Sequence, residues 1–362
     1  MRPWMRTLLA TPMLLLCTGC QVGYYLHSAY HQSLLINGRE SIDRALRSSD
    51  LSEDQKRKLR LVQEVKAFCE NQLGLASSSN YTSFVKIDDP YVTYIVQAAY
   101  AWELKPYLWH FPFVGDVPYK GYFVKSMALA EAAEFPKDKY DTYVRGVSAY
   151  STLGWFQDSV LSTMLRYPDY ELVEIIIHET VHTTLYVKSA AEFNERMATF
   201  LGQEGMKLFY RQKQGDNSES LKKADDDTHD QQLFSRFLTG ELKDLKQWYV
   251  TNQGHVDQET KTARLKQIQT RYQEQLKPQM KTENYSEFEK RQLNNALLLA
   301  YQTYEYSLAD FSKLYGHFHH EFRETLGWLN GLRKDPKPDQ TLKSFVAEFP
   351  EDTGTPKTSA SK

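Results

Sequence analysis

The eight residues Ile175-Ile176-Ile177-His178-Glu179-Thr180-Val181-His182 constrain this chain more than any other stretch. Leu172, Val173, Ile175, Ile176, Ile177, Val181 and Leu185 recur so densely that a helix through them is apolar almost all the way round. That predicts a buried central helix. Two imidazoles and a carboxylate inside such a helix cost several kcal/mol unless something pairs them. His178 and His182 stand at i and i+4 and so lie one above the other on a single face. One metal ion can take both ring nitrogens there, with Glu179 beside them to accept a proton from a water at the ion. The competing reading is a pair of satisfied core histidines in a structural helix.

The surroundings favour the metal. Ser189 offers an N-cap for a second helix beginning Ala190-Ala191-Glu192-Phe193-Asn194-Glu195. A short turn folds that helix back over the first and can bring Glu195 up as a third ligand. Glu192, one turn earlier on nearly the same face, is its rival. The other known third-ligand pattern, a Gly and then a His soon after His182, is absent, with Leu185 and Lys188 in those places. Two His and one Glu with an open fourth position is the ligand set of a hydrolytic zinc site, whereas a structural site closes with a fourth protein ligand.

At the N-terminus, Arg2 and Arg6 precede an apolar run, Leu8 to Leu16, too short to span a bilayer as a mature anchor. It ends in Leu16-Cys17-Thr18-Gly19-Cys20, which resembles a bacterial lipoprotein signal in which Cys20 becomes the lipidated N-terminus; Cys17 stands where Leu is usual. Gln21 after the cysteine resembles outer-membrane sorting, which places the protein in the cell envelope facing the periplasm. An ordinary cleaved signal or an N-terminal helix is the plainer reading of the same residues. Cleavage removes two arginines and moves the formal charge from −2 to −4. No basic excess remains to serve a nucleic-acid partner. Cys69 is then the one free thiol, and its helical apolar setting marks it as a small buried hydrophobe. Without a disulfide, stability must come from the core, for which about 340 residues suffice.

Helices are expected over Tyr24–Ser48 and Ser52–Leu73, the second opened by a capping box of Ser52 and Gln55. Aromatic and β-branched strands follow at Tyr81–Ile87, Tyr91–Gln97, Tyr107–Phe113 and Tyr140–Val147, with a helix at Lys125–Glu134. A strand over Ser151–Phe156 can receive an extended peptide along its edge, through Ser151, Thr152, Leu153 and Gly154. Beyond Gly202 polar helices are expected at Gln203–Lys213, Asp230–Asn252, Gln258–Gln275 and Ser286–Leu326. Gln214–Asp227 reads as a disordered connection and the chain from Arg333 as a flexible tail. His27 with His31 reads as a pair of surface residues; His317 and Glu321, which share a face, form a weaker candidate metal pair.

Across most of the mature length the chain resembles the putative aminopeptidases of Gram-negative bacteria, often lipoproteins with a zinc-peptidase motif. The likeness is carried by Asn80-Tyr81-Thr82-Ser83-Phe84, Pro118-Tyr119-Lys120-Gly121-Tyr122-Phe123, Ala149-Tyr150-Ser151-Thr152-Leu153-Gly154-Trp155-Phe156 and Leu161-Ser162-Thr163-Met164-Leu165. It continues through His178–His182, Phe193-Asn194-Glu195 and Asn294-Asn295-Ala296. The resemblance implies an α+β, zincin-like fold with a small mixed sheet on the His178–His182 helix and an added helical C-terminal region. It implies a gluzincin-like Zn2+ site of His178, His182 and Glu195, Glu179 as base, and a peptide or protein substrate. A tyrosine donor for the oxyanion is assigned to Tyr304, with Tyr150 and Tyr301 as rivals. The corresponding division is a signal over 1–19, a helical region over 20–79, a catalytic core over 80–212, a helical region over 213–330 and a tail over 331–362. The alternative is a non-catalytic envelope lipoprotein whose zinc only staples two helices and which binds partners.

Overall fold

The computed structural model describes residues 22–111, 115–148, 157–302, 308–347 and 349. In chain order the elements are α1 (22–37), β1 (Glu40–Ser41), α2 (Ile42–Ala45), α3 (Glu53–Phe68), β2 (Ser83–Val85), β3 (Thr93–Tyr100), β4 (Trp109–Phe111), β5 (Gly115–Val117) and β6 (Lys120–Tyr122). They continue with α4 (Lys125–Glu134), β7 (Tyr140–Val147), β8 (Val160–Leu161), α5 (Asp169–Thr184), α6 (Ala191–Gln214), α7 (Glu219–Thr251) and α8 (Gln258–Arg271). The last four are α9 (Asn295–Gln302), α10 (Ala309–His317), α11 (Phe322–Asn330) and α12 (Pro338–Val346). The fold is α+β and mainly helical.

Among the described residues, three small sheets stand where a single one was expected. Sheet β1-β2-β8 is mixed, antiparallel between β1 and β2 and parallel between β2 and β8. Its Phe84, Val85, Val160 and Leu161 share one core with Leu172, Val173, Ile176 and Ile177 of α5, so this is the small mixed sheet that backs the histidine helix. The aromatic strands instead build a separate antiparallel sheet, β6-β3-β7, with β4-β5 as a hairpin beside it. That sheet packs α4 on one core, while α7, α8 and α9 gather around a third core of Phe234, Leu238, Tyr272, Phe288 and Leu297. Asn295 joins the sheet to these helices. Its buried amide donates to the Tyr100 carbonyl at 2.9 Å, and its Oδ1 accepts from the Tyr249 hydroxyl at 3.0 Å. Nearby, the Lys261 ammonium reaches Asp141 at 2.7 Å, which pairs a charge that burial would otherwise penalise. The Asn294-Asn295-Ala296 segment is therefore structural.

Several expected boundaries moved, each for a local reason. The helix from Tyr24 stops at residue 37, because the chain turns at Gly38 and enters β1. Ser52 caps α3 with the reciprocal Gln55 bonds, as the sequence predicts, and the helix closes in a π turn, Cys69–Leu73, ended by left-handed Gly74. Residues 219–227, expected to be disordered, are the first turns of α7. Ser218 caps that helix by accepting from the Leu221 N–H, and Leu221 and Ala224 are buried. The single helix expected over Ser286–Leu326 is four shorter pieces, a 3-10 turn at Ser286–Glu289 and then α9, α10 and α11. The flexible tail expected from Arg333 is a helix over Pro338–Val346, where α12 inserts Leu342 and Val346 into the main core; residues 350–362 lie outside the described residues.

If α12 is part of that core, Leu342→Ala should cost about 2–5 kcal/mol of unfolding free energy. Chemical denaturation of the purified protein measures it, and a loss near zero would return the segment to a loose tail.

Candidate metal centre

α5 begins at Asp169, which the Arg57 guanidinium grips from α3, and ends at Thr184. Its rear face, Leu172, Val173, Ile176, Ile177, Thr180 and Val181, is buried. Thr180 sits against Cys69, whose thiol burial pushes up to about 12; this is the inert buried cysteine the sequence predicts. Because the rear face is anchored this way, His178, Glu179 and His182 are left half-buried on the other side.

The chain then returns through a turn whose geometry the sequence does not announce. Ser189 is not the cap. It lies in the left-handed region at φ 61°, and Ala190 occupies the cap position without a side-chain bond. A non-glycine residue held there costs about 1–3 kcal/mol and persists only where neighbours fix it. Asn194 does the fixing. Fully buried, it accepts from the Val187 N–H and donates to the Val187 carbonyl, both at 2.8 Å. This one amide satisfies both backbone groups of a buried residue, and Glu195 is the next residue along. Two glycines complete the fit between α5 and α6. A Cβ on Gly202 would stand 3.2 Å from the His178 Cβ, and one on Gly205 would stand 2.9 Å from Ile177 Cγ2.

As a result His178 Nε2 and His182 Nε2 lie 3.1 Å apart, with Glu195 Oε2 3.6 Å from the first and Oε1 3.4 Å from the second. Zinc bonds of about 2.0–2.1 Å at tetrahedral angles require ligand atoms roughly 3.3–3.4 Å apart. The two imidazole nitrogens and the Glu195 carboxylate therefore converge at close to the spacing such an ion needs, and imidazole, imidazole and carboxylate suit it. Among the described residues this is the one group of three or more His, Cys, Asp or Glu able to hold a metal ion. Glu192 is exposed and outside it.

The charges are strongly coupled. The His178 and then the His182 ring hold the Glu195 carboxyl down to about 2, against the opposing effect of burial. Burial would lower His182, but contact with Glu195 and the charge of Glu179 together raise it. Among the described residues His182 Nδ1 has no hydrogen-bond partner. The charge of Glu179 is also felt by Tyr81, which burial first and then Glu179 push well above the usual phenol range. Tyr81 is buried at φ 57°, with its N–H donating to the Asp158 carbonyl at 2.7 Å. In the sequence Tyr81 reads as the start of a strand and as part of the Asn80–Phe84 resemblance segment; neither its positive φ nor its electrostatic link to Glu179 has a local signal there.

Other expected residues divide cleanly. Tyr304, its rival Tyr150, the strand Ser151, Thr152, Leu153 and Gly154, and Cys20 all lie outside the described residues. Tyr301, the other rival, packs against Phe234 and Phe288 in the α7–α9 core. A cavity of about 290 Å³ does adjoin α5, but it contains neither imidazole. Tyr170, Glu171 and Glu174 line it from α5 and Asp227 from α7. Burial and then the charge of Asp227 raise Glu171 to about 7, while burial and then Glu171 raise Glu174 to about 7.

The family described as "Putative aminopeptidase" matches residues 23–343, and the chain belongs to that family, which places it among the peptidases. No curated protein and no solved structure matches it.

Two measurements follow from these groups. Glu195→Gln should weaken zinc binding by about 10- to 100-fold or more, and Glu192→Gln should do much less. Titration of both variants against a competing chelator ranks them. A carboxyl whose folded pKa is raised to about 7 stabilises the fold fully below its unfolded value of 4.5, and that contribution is lost as pH rises through 7. Glu174→Gln should therefore stabilise the protein by up to about 3 kcal/mol at alkaline pH and give little near the unfolded value. Melting curves across that range check the sign.

Proposed function

We propose that this protein is a zinc-dependent peptidase with a zincin-like catalytic arrangement, anchored in the cell envelope through a lipid on Cys20. The observation that carries the reading is the convergence of His178, His182 and Glu195, together with the charge of Glu179 acting on His182. Three ligand residues among the described ones, rather than a closed set of four, favour a catalytic over a purely structural centre. Zinc held there would polarise the scissile carbonyl and make a water reactive near neutral pH.

The rest is the work of this chain's own groups. His178 and His182 each present Nε2, and Glu195 presents its two oxygens, so the positive charge of the site is fixed in one place. Glu179 accepts the proton of the attacking water and hands it to the departing amine, which balances the hydrolysis without another acid. The oxyanion donor on this reading is Tyr304, and the substrate strand Ser151–Gly154; both assignments rest on the sequence. A donor of that kind contributes about 10²–10³ in rate. Cleavage of a free N-terminal residue, as against an internal bond, is the finer part of the family's description.

The lipid is proposed from Thr18-Gly19-Cys20 after a short apolar run, and the outer-membrane, periplasm-facing location from Gln21. Among the described residues no helix is long and apolar enough to cross a membrane.

Glu179→Gln should keep zinc and the fold while reducing hydrolysis of peptides by orders of magnitude, since an amide cannot accept the proton. Metal content and turnover measured on the same preparation decide it. Full activity in a metallated variant would contradict the mechanism.

A further inference from the structure

The first helix carries apolar side chains on both of its faces. Over 22–37 the exposed half of α1 carries Val22, Tyr25, Leu26, Tyr30 and Leu34, between 41% and 67% exposed. Val22, Leu26, Tyr30 and Leu34 repeat every four residues, so they form one continuous stripe. The half facing the protein mixes apolar Tyr24, Leu35 and Ile36 with His27, His31 and Gln32, and Leu35 packs on the main core. A helix packed on a water-soluble body keeps its outward face polar, which this one does not.

Besides Leu35, specific ring contacts hold α1 against the sheet. Tyr24 sets its ring edge-on to Tyr122 and donates its hydroxyl to the Gly121 carbonyl at 3.0 Å. His31 stacks on Phe123 at 5.5 Å. His27 Nε2 and Gln32 Oε1, both buried, have no hydrogen-bond partner among the described residues. The outward stripe is thus a second apolar face of the same helix, and something should cover it.

Three facts on the sequence identify the cover. Cys20, the residue proposed to carry lipid, precedes Val22 by two positions, so the stripe begins where the acyl chains would enter the bilayer. No charged residue occurs from Gln21 to Asn37; the first are Arg39 and Glu40. Two of the five exposed residues are tyrosines, which favour the boundary between headgroups and acyl chains. We infer that α1 lies along the membrane surface with Val22, Tyr25, Leu26, Tyr30 and Leu34 seated in the lipid interface. This rests on lipid attachment at Cys20. An interfacial helix of this kind buries its apolar face shallowly in the plane of the membrane. The anchor removes the entropic cost of finding the surface, so even a weak stripe stays seated. The β6-β3-β7 sheet, to which Tyr24 and His31 are fixed, would then be held at a set orientation to the membrane rather than swinging on a tether.

The test uses the full-length protein matured in bacteria and reconstituted in phosphatidylethanolamine–phosphatidylglycerol vesicles containing nitroxide-labelled lipid. Leu26→Cys and, as a control on α7, Val250→Cys each receive a fluorophore; both sites are exposed, and Cys69 is buried and will not label. Mass spectrometry of the same samples reads acylation of Cys20. With Cys20 acylated, the Leu26 label should be quenched by the lipid nitroxides several-fold more than the Val250 label, and should be shielded from aqueous iodide. An acylated protein whose Leu26 label is quenched no more than the control overturns the inference and leaves the lipid anchor standing. Shielding from both lipid and aqueous quenchers would mean that another protein surface covers the stripe, and would also overturn it. An unacylated Cys20 would remove the anchor and the inference with it.

Discussion

Everything in the candidate site depends on how closely α6 can approach α5. Three polar side chains that would repel or waste solvation if dispersed in an apolar core are brought within 3.1–3.6 Å of one another. That distance is set by backbone features, Gly202 against His178 and Gly205 against Ile177, where a larger residue would force the helices apart. It is also set by the Asn194 amide, which joins the exit of α5 to the entry of α6 through Val187. Leaving such buried backbone groups unpaired costs about 1–3 kcal/mol, so the turn has one strongly preferred form. Glu195 follows Asn194 directly and inherits its position.

The main core supports this crossing from several parts of the chain. Leu59, Val62 and Val65 come from α3, Phe84 and Val160 from the mixed sheet, and Phe311 and Leu342 from the C-terminal helices, all in the cluster that holds α5 and α6. Arg333 donates to the Thr184 carbonyl at 2.6 Å, so even the end of the histidine helix is pinned by a residue 149 positions away. The sheet of aromatic strands and the α7–α9 bundle have cores of their own. The α7 helix bridges the two regions, meeting Tyr170 of α5 through Asp227 at 3.0 Å and Asn295 of α9 through Tyr249.

Much of the site was legible because its chemistry is local. The i, i+4 histidines, the glutamate between them and the apolar rear face all follow from one helical period, and a helix with that pattern has few other ways to fold. The choice of Glu195 over Glu192 was a matter of axial reach, and the structure gathers Glu195 with the imidazoles. What stayed hidden depends on tertiary context. Asn194 looks in sequence like any helix-start asparagine, and its value lies in a partner seven residues back. Tyr81 is buried at a positive φ that no residue preference announces, and feels the charge of Glu179 from there. The helical start of α7 and the buried α12 were missed because acidic and proline-rich composition was taken for disorder, although Leu221 and Leu342 supply the apolar contacts that order them.

The central claim is that His178, His182 and Glu195 hold one zinc ion with a position left open. X-ray absorption at the zinc edge of the purified protein, after removal of loosely bound metal, tests this most directly. The account predicts stoichiometric zinc in an all nitrogen-and-oxygen shell, with bonds of about 2.0–2.1 Å and the outer-shell scattering of two imidazoles. A protein that retains no stoichiometric zinc, or a shell that lacks the imidazole pair or contains sulfur, would contradict it.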